Sequence, residues 1–296
     1  MRKLLGPLIF LIHTPLQILN LAFWASIIIL CGLLKLVLPF PAIRTLLIGI
    51  MHPAMQAFGA CSVLLIKLFN PVTVDVRIDG TLSPRNWYLL ISNHLSYLDI
   101  VLLINLSKGR IPPPKFFLKK ELIWLPFVGL GAWALEMPFM RRYSRSYLEK
   151  YPHRKGQDIE TTRRSCEKYK AQPTTVINFV EGTRFTAVKH KSKKSQFAHL
   201  LPPKAGGIAF TLATMGHLFT NLLDISLLYP GDIKHPMMAM LSGQMRRIII
   251  DVNVLDVPEA VRGDYFSDDA FRGRFQTWLN ELWSEKDTRI HQLLEP

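Results

Sequence analysis

Cysteine is scarce in this sequence and lacks the spacing that a disulfide framework or a metal site requires. The 296 residues include three cysteines, Cys31, Cys61 and Cys166, with no CxxC pair and no Cys/His pairing. An odd number of scattered thiols argues against disulfides and indicates a reduced, cytosol-facing protein. Glycine motifs of the GxGxxG or GxxxxGK(S/T) type are also missing, so a dinucleotide fold or a P-loop is not indicated.

Acidic residues are few compared with basic ones. The chain has 22 Asp and Glu against 36 Lys and Arg, a formal net charge of +14. Such an excess favours an anionic partner, which can be a nucleic acid, an anionic membrane surface or a phosphorylated substrate. No helix-turn-helix, RRM or zinc-finger pattern is present, so we expect no nucleic-acid partner.

Charged residues are absent from positions 4–34, and residues 8–38 are the most apolar part of the chain. A membrane helix needs about 20 largely apolar residues, and this run supplies them if Lys35 extends to the interface. Residues 42–69 form a second, weaker apolar stretch. We predict a membrane anchor over residues 1–70, as one span or as a two-helix interfacial motif. A cleaved signal peptide competes, but the run is too long and no small-residue cleavage site is evident.

The rest of the chain alternates strand-like runs with helical patterns, which is typical of an α/β fold. Strands are predicted at 71–80, 87–91, 174–179, 223–229 and 247–254, with a short one near 116–118. Helical patterns occur at 97–107, 121–135, 208–215 and 266–292, and the Lys/Ser/His-rich segment 186–199 is typical of an exposed loop.

Polar side chains follow the predicted strand 87–91, where His94 precedes Asp99 by five positions. On one continuous helix the two side chains would lie about 140° apart, at roughly 100° per residue. With His94 in the turn before the helix and Asp99 in its first turn, they can meet. A carboxylate on one imidazole nitrogen fixes the tautomer and leaves the other as a base.

A structural role is the alternative for both residues. A lone buried histidine is usually a satisfied core residue, and an aspartate in a first helical turn interacts favourably with the helix dipole. A second polar segment changes the balance. Residues 180–184 follow the predicted strand 174–179, where Gly182 permits a tight turn and places Glu181 and Arg184 at a strand end.

These segments, with two others, resemble a known family in their order along the chain. Residues 93–99 are similar to the NHxxxxD box, and 179–184 to the FPEGTR box, of the 1-acylglycerol-3-phosphate acyltransferases, which belong to the glycerolipid and lysophospholipid acyltransferases. Residues 139–142 resemble the intervening GxxFIxR box, and 227–230 the fourth, apolar box. The resemblance covers essentially the whole chain and is strongest to the YihG-type acyltransferases of the bacterial inner membrane.

Two positions depart from the family pattern. Val180 stands where the third box usually has proline, and Glu136 stands where the second box has glycine. Because the second box aligns loosely, its functional arginine is either Arg141 or Arg142, and the pattern favours Arg142.

The resemblance implies an α/β acyltransferase domain over residues 71–296, with a central mixed sheet flanked by helices and preceded by a membrane-binding helical pair. It implies transfer of a fatty acyl group from acyl-CoA or acyl-acyl carrier protein to the sn-2 hydroxyl of 1-acylglycerol-3-phosphate, which yields phosphatidic acid. No cofactor or metal is implied. The expected setting is an anionic lipid surface, with the catalytic domain on the cytoplasmic side of a bacterial inner membrane.

Site roles follow from the same resemblance. His94 is the general base and Asp99 orients its ring, which is typically worth about 10²–10⁴-fold in rate. Arg142 and Arg184 hold the acceptor phosphate, because a planar guanidinium binds phosphate in a bidentate manner. Glu181 contacts the acceptor hydroxyl or orients an arginine. The remaining candidates for the phosphate site are Gly182 and Thr183, followed by Asn93, Arg141 and Lys204.

Three other functions stay open at this point. The first is acylation of another anionic lysophospholipid, such as lysophosphatidylglycerol or a lysophosphatidylinositol-like acceptor. The second belongs to a different class and is a non-catalytic, basic, membrane-anchored anion-binding protein. A metallohydrolase is the weakest, because HxxxxD has no companion ligands at metal spacing.

Overall fold

A six-stranded mixed sheet forms the centre of the protein. The computed structural model describes residues 2–140, 169, 172–231 and 234–295. The sheet order is β1-β8-β7-β2-β6-β3, and its pairs are parallel except for β7 with β8. Its strands are β1 (Thr73–Asp79), β2 (Tyr88–Ser92), β3 (Pro114–Phe116), β6 (Thr175–Phe179), β7 (Asn221–Leu228) and β8 (Arg247–Asp256). The predicted α/β class with a mixed sheet is therefore confirmed.

A second, two-stranded sheet consists of β4 (Leu118–Lys119) paired with β5 (Phe139–Met140) in parallel. The helices are α1 (Arg2–Val37), α2 (Pro41–Phe69), α3 (Leu98–Ser107), α4 (Val128–Ala134), α5 (Ala187–Ser192), α6 (Ala205–Met215), α7 (Pro236–Leu241) and α8 (Asp269–Leu294). Short 3-10 helices occupy Lys120–Trp124 and Glu259–Val261.

The sheet separates two apolar layers, because side chains alternate between its faces. Leu90 of β2 packs with buried residues of α2 and α3 on one face. Leu89 and Ile91 of the same strand pack with α6 and α8 on the other. Since β2 is buried along its whole length, the short apolar run that predicted it has no solvent-facing side.

Two apolar helices precede the sheet. Leu5–Val37 and Pro41–Phe69 are each long and apolar enough to cross a membrane. The second helix lies against α3, where a Cβ on Gly59 would lie 2.8 Å from Ile104 Cγ2, so the missing side chain permits close packing. The helical pair at the start of the chain is thus present, while the number of spans stays a prediction.

Two predicted segments differ in the structure. The 186–199 segment is not only loop, because Thr186 caps α5 by accepting a hydrogen bond from Lys189 N at 3.2 Å. The helical pattern at 121–135 is divided in two, since Pro126 separates the 3-10 turn Lys120–Trp124 from α4.

Candidate active site

His94 and Asp99 are in contact at the carboxyl end of β2. His94 lies in the turn after the strand and Asp99 in the first turn of α3. The imidazole Nδ1 is 2.7 Å from Asp99 Oδ2. A carboxylate can only accept, so this contact requires the proton on Nδ1 and leaves Nε2 as the basic nitrogen.

Asp99 is completely buried and is held by four donors. Its Oδ2 also accepts hydrogen bonds from the backbone N–H groups of Leu95 and Ser96, at 2.7 and 2.9 Å. The phenol of Tyr229 donates to Oδ1 at 2.5 Å. Burial and the neighbouring Asp99 carboxylate raise the pKa of Tyr229, so its proton stays available for this bond.

The imidazole of His94 is fixed from the side as well. Its ring stacks on Phe179, the last residue of β6, with ring centroids 4.1 Å apart and planes inclined by 19°. The side chain keeps 14% exposure. In the described part of the chain no hydrogen bond to Nε2 occurs, so this nitrogen is available to a bound group.

The turn after β6 places Arg184 beside this pair. Gly182 has a φ of +65°, a conformation that glycine adopts without strain, and its N–H donates to Phe179 O at 2.9 Å. Phe185 N donates to His94 O at 2.7 Å, which joins the two polar turns directly. The exposed guanidinium of Arg184 lies 4.0 Å from the ring centre of Tyr97, in a cation-π contact.

Lys189 is a component of this turn that sequence reasoning missed. Its Nζ donates to Thr183 Oγ1 at 2.9 Å and to Arg184 O at 3.0 Å. The composition of 186–199 predicts an exposed loop, whereas in the structure helix α5 places the Lys189 side chain against the turn. Recognition of Thr186 as a helix cap would have provided the signal, because it puts Lys189 in the first helical turn.

Glu181 lies elsewhere than expected. Its side chain is fully buried, and Oε1 accepts a hydrogen bond from Leu201 N at 3.0 Å instead of facing an acceptor or an arginine. Among the described residues no partner bonds Oε2. Burial raises the pKa of Glu181 to about 8, so the protonated acid predominates at neutral pH.

Asn93 also faces the interior. Its amide donates to Leu227 O and accepts from Leu227 N, both at 2.9 Å, and thereby ties the end of β2 to β7. Tyr229, two residues further on, bonds Asp99. The apolar segment 227–230 therefore supports the turn that carries His94, a role that its composition did not predict.

The other candidates lie at the margin of the site. The Lys204 side chain is exposed, while its backbone N–H donates to Val180 O at 2.8 Å and braces the same turn. Arg141 and Arg142 lie outside the described residues. The part of the chain that the structure describes contains no group of three His, Cys, Asp or Glu side chains that could hold a metal ion.

Glu136, which departs from the family pattern, links the N-terminal helices to the second box. Its Oε1 lies 3.3 Å from Lys35 Nζ at the end of α1 and 3.0 Å from an Arg44 nitrogen at the start of α2. Three residues later the chain enters β5. The carboxylate thus fixes the turn between the two apolar helices to this segment.

Comparisons with known proteins show which family and fold this chain resembles. A family model described as Acyltransferase matches residues 73–220, half of the chain. The 1-acyl-sn-glycerol-3-phosphate acyltransferase delta of Homo sapiens is 25% identical over 218 residues, 67% of this chain and 51% of that protein. The corresponding alpha protein of Homo sapiens is 30% identical over 119 residues, 40% of this chain and 38% of that protein. The chain therefore spans about half the length of the delta relatives.

A solved structure has a similar overall fold. The crystal structure of the 1-acyl-sn-glycerophosphate (LPA) acyltransferase PlsC from Thermotoga maritima superposes with a TM-score of 0.61 and 18% identity, covering 98% of both chains. This likeness includes the N-terminal helices, since almost the whole chain is matched. The likeness to the YihG-type proteins is not tested by these comparisons and stays a prediction.

Proposed function

The chain belongs to the acyltransferase family, and we propose that it acylates the free sn-2 hydroxyl of 1-acylglycerol-3-phosphate, giving phosphatidic acid. The observation that carries this proposal is the contact between His94 and the buried carboxylate of Asp99 beside the Arg184 turn, where no described residue bonds Nε2. Relatives with 1-acyl-sn-glycerol-3-phosphate in their names support the choice of acceptor.

The proposed reaction is a direct transfer. Nε2 of His94 takes the proton of the acceptor hydroxyl while its oxygen attacks the thioester carbonyl. The tetrahedral intermediate collapses, the C–S bond breaks, and the leaving thiolate takes up the proton from the imidazolium. Asp99 stabilises that imidazolium, and positioned base catalysis of this kind is worth about 10²–10⁴-fold.

The acceptor phosphate is assigned to arginine. Arg184 is exposed and its guanidinium lies over the Tyr97 ring, and none of the described residues forms a hydrogen bond with its N–H groups, which can therefore meet a phosphate. Arg142, or Arg141, is the proposed second contact. Gly182 and Thr183 form the turn below Arg184, and Glu181 acts from the interior by holding that turn rather than by touching the acceptor.

The donor is an acyl thioester of CoA or acyl carrier protein, delivered at an anionic membrane surface. We propose that residues 1–70 are the anchor, that 71–296 carry out catalysis, and that the enzyme faces the cytoplasm from a bacterial inner membrane. The two long apolar helices support the anchor. No metal or cofactor enters the proposed chemistry.

Membranes containing the full chain test this function. They are supplied with labelled oleoyl-CoA or the acyl carrier protein thioester and with a panel of lysolipids. We expect transfer to 1-acylglycerol-3-phosphate, and loss of transfer in His94→Ala but not in His217→Ala, which changes an exposed histidine elsewhere. Faster transfer to lysophosphatidylglycerol would favour the other acceptor class. Full activity of His94→Ala would overturn the mechanism, and no transfer by the unaltered chain would favour a non-catalytic binding protein.

A further inference from the structure

Several large apolar side chains are exposed in the segment that connects β4 to β5. Trp124 is 86% exposed, Leu130 49%, Leu125 48% and Phe127 38%. We call these four residues the 124–130 ridge. Large apolar side chains that cluster at the surface in this way mark a site of contact with a membrane or another protein.

Hydrogen bonds and close packing define the turn from which these side chains are exposed. Leu125 N donates to Leu122 O at 3.1 Å, and Gly129 N donates to Leu125 O at 2.8 Å. A Cβ at Gly129 would lie 2.1 Å from Ile123 O, so only glycine permits this close approach. Phe127 has a φ of +61°, a costly backbone conformation for a residue other than glycine, and it is 38% exposed.

The ridge lies next to the first apolar helix. Helix α4 packs on α1 so closely that a Cβ on Gly32 would lie 2.4 Å from Ala134 Cβ. Lys35 Nζ donates to Ala134 O at 2.8 Å and fixes the same contact. Near this contact, Leu30 and Leu33 of α1 are themselves 59% and 50% exposed. The apolar surface of a candidate membrane helix therefore continues onto the catalytic domain.

Charge at the base of the ridge suits an anionic lipid surface. Lys119 and Lys120 are exposed immediately before it, against the single carboxylate of Glu121. Tryptophan is enriched at the level of lipid headgroups, where its ring is partly apolar and its N–H meets polar groups. A lipid bilayer fits these features together better than a protein partner, because α4 packs against a helix of membrane-spanning length.

We propose that the 124–130 ridge inserts into the headgroup region of an anionic bilayer, as a membrane contact of the catalytic domain separate from the two anchor helices. The segment that carries the ridge begins after β4 and ends at β5, where the second box begins. Insertion would hold that box at the lipid surface from which the acceptor arrives. The insertion goes beyond the proposed function and does not depend on catalytic activity.

An environment-sensitive probe tests the insertion. Leu125→Cys is made in a full chain whose three cysteines are replaced, labelled with NBD, and reconstituted into vesicles of phosphatidylcholine and phosphatidylglycerol. Val188→Cys, at an exposed apolar residue of α5, is the matched control. We expect a blue-shifted signal at 125 that headgroup-level nitroxide lipids quench at least about threefold more than the signal at 188.

Equal, water-like signals at 125 and 188 would overturn the proposal. Cross-linking of two copies through position 125 with the same yield in vesicles and in detergent would also overturn it, because the ridge would then serve self-association. These readouts need no enzymatic activity, so their failure is distinct from failure of the proposed function.

The KM for the acceptor tests whether insertion of the ridge affects substrate binding. Trp124→Asp should raise KM for a long-chain lysolipid in anionic vesicles by about fivefold, since a charge near such a surface is worth about 1 kcal/mol. Transfer to a short-chain, water-soluble acceptor should be unchanged, and Phe266→Asp, at another exposed ring, should change neither. Equal KM values for Trp124→Asp and the unaltered chain would count against insertion.

Discussion

The phenol of Tyr229 donates to one oxygen of the Asp99 carboxylate while the imidazole of His94 occupies the other. Tyr229 comes 130 residues after Asp99 in the sequence and directly follows strand β7. His94 lies just after the end of the neighbouring strand β2. The charge of Asp99 is thus shared between the ring that it orients and a phenol from another strand.

Replacing Tyr229 by phenylalanine should slow transfer without removing the catalytic pair. The carboxylate then loses the buried donor at Oδ1 and orients the imidazole of His94 less well. We expect kcat to fall on the order of tenfold, equivalent to about 1.4 kcal/mol. Tyr88→Phe is the control, because its equally buried phenol bonds Ser83 N outside the site. A fall in kcat no larger than that of Tyr88→Phe would assign Tyr229 to stability alone.

Asp99→Asn should affect catalysis more than any single support around it. The asparagine side chain carries an NH₂ group, which is a donor, next to groups that themselves donate to the Asp99 carboxylate. It does not hold the His94 proton on Nδ1. We expect kcat/KM to fall by roughly 10²–10⁴-fold. Asp75→Asn, which removes an ion pair with Arg247 at the sheet edge, should leave the rate unaltered. Thermal melting of both variants separates misfolding from loss of chemistry, and near-normal turnover by Asp99→Asn would exclude the general-base pair.

Arg184→Lys should show whether Arg184 binds the acceptor through its positive charge alone or also through the planar shape of its guanidinium. Lysine keeps the positive charge but loses the planar fork and its fit on the Tyr97 ring. We expect KM for a phosphate-bearing acceptor to rise about tenfold with little change in kcat, and the KM of a neutral lysolipid to remain the same. Lys204→Ala, at the exposed neighbouring cation, is the comparison. A larger effect of Lys204→Ala would transfer the phosphate contact from Arg184 to Lys204.

Glu181→Gln should stabilise the protein at alkaline pH. The folded-state pKa of Glu181, about 8, is higher than that of an unfolded glutamate. The folded chain therefore binds the extra proton, and its stability falls as pH rises from about 4.5 to about 8. Glutamine keeps the bond to Leu201 without this loss. The melting temperature of the variant should equal that of the unaltered chain at pH 5 and exceed it by several degrees at pH 8.5. Equal melting temperatures at both pH values would refute a buried, protonated Glu181.

Much of the catalytic core could be predicted from local pattern alone. The buried strand β2, the turn at His94 and the start of α3 are consecutive, so spacing was enough to bring His94 to Asp99. The N-terminal helices and the strand before Glu181 were likewise apparent from runs of apolar residues. The Lys189 contact was missed because helix α5 has six residues and is mostly polar, and such a composition does not distinguish a short helix from a loop.

Local sequence patterns were sufficient to predict the α/β core, the paired apolar helices and the polar turns at the ends of β2 and β6, because each depends on neighbours along the chain. The surroundings of those turns depend instead on how distant segments pack together. The order of strands in the sheet brought Tyr229 to Asp99 and buried Asn93 against Leu227, and the packing of Leu201 enclosed Glu181. Hydrogen bonds between strand ends depend on which strands become neighbours, and no local spacing specifies that.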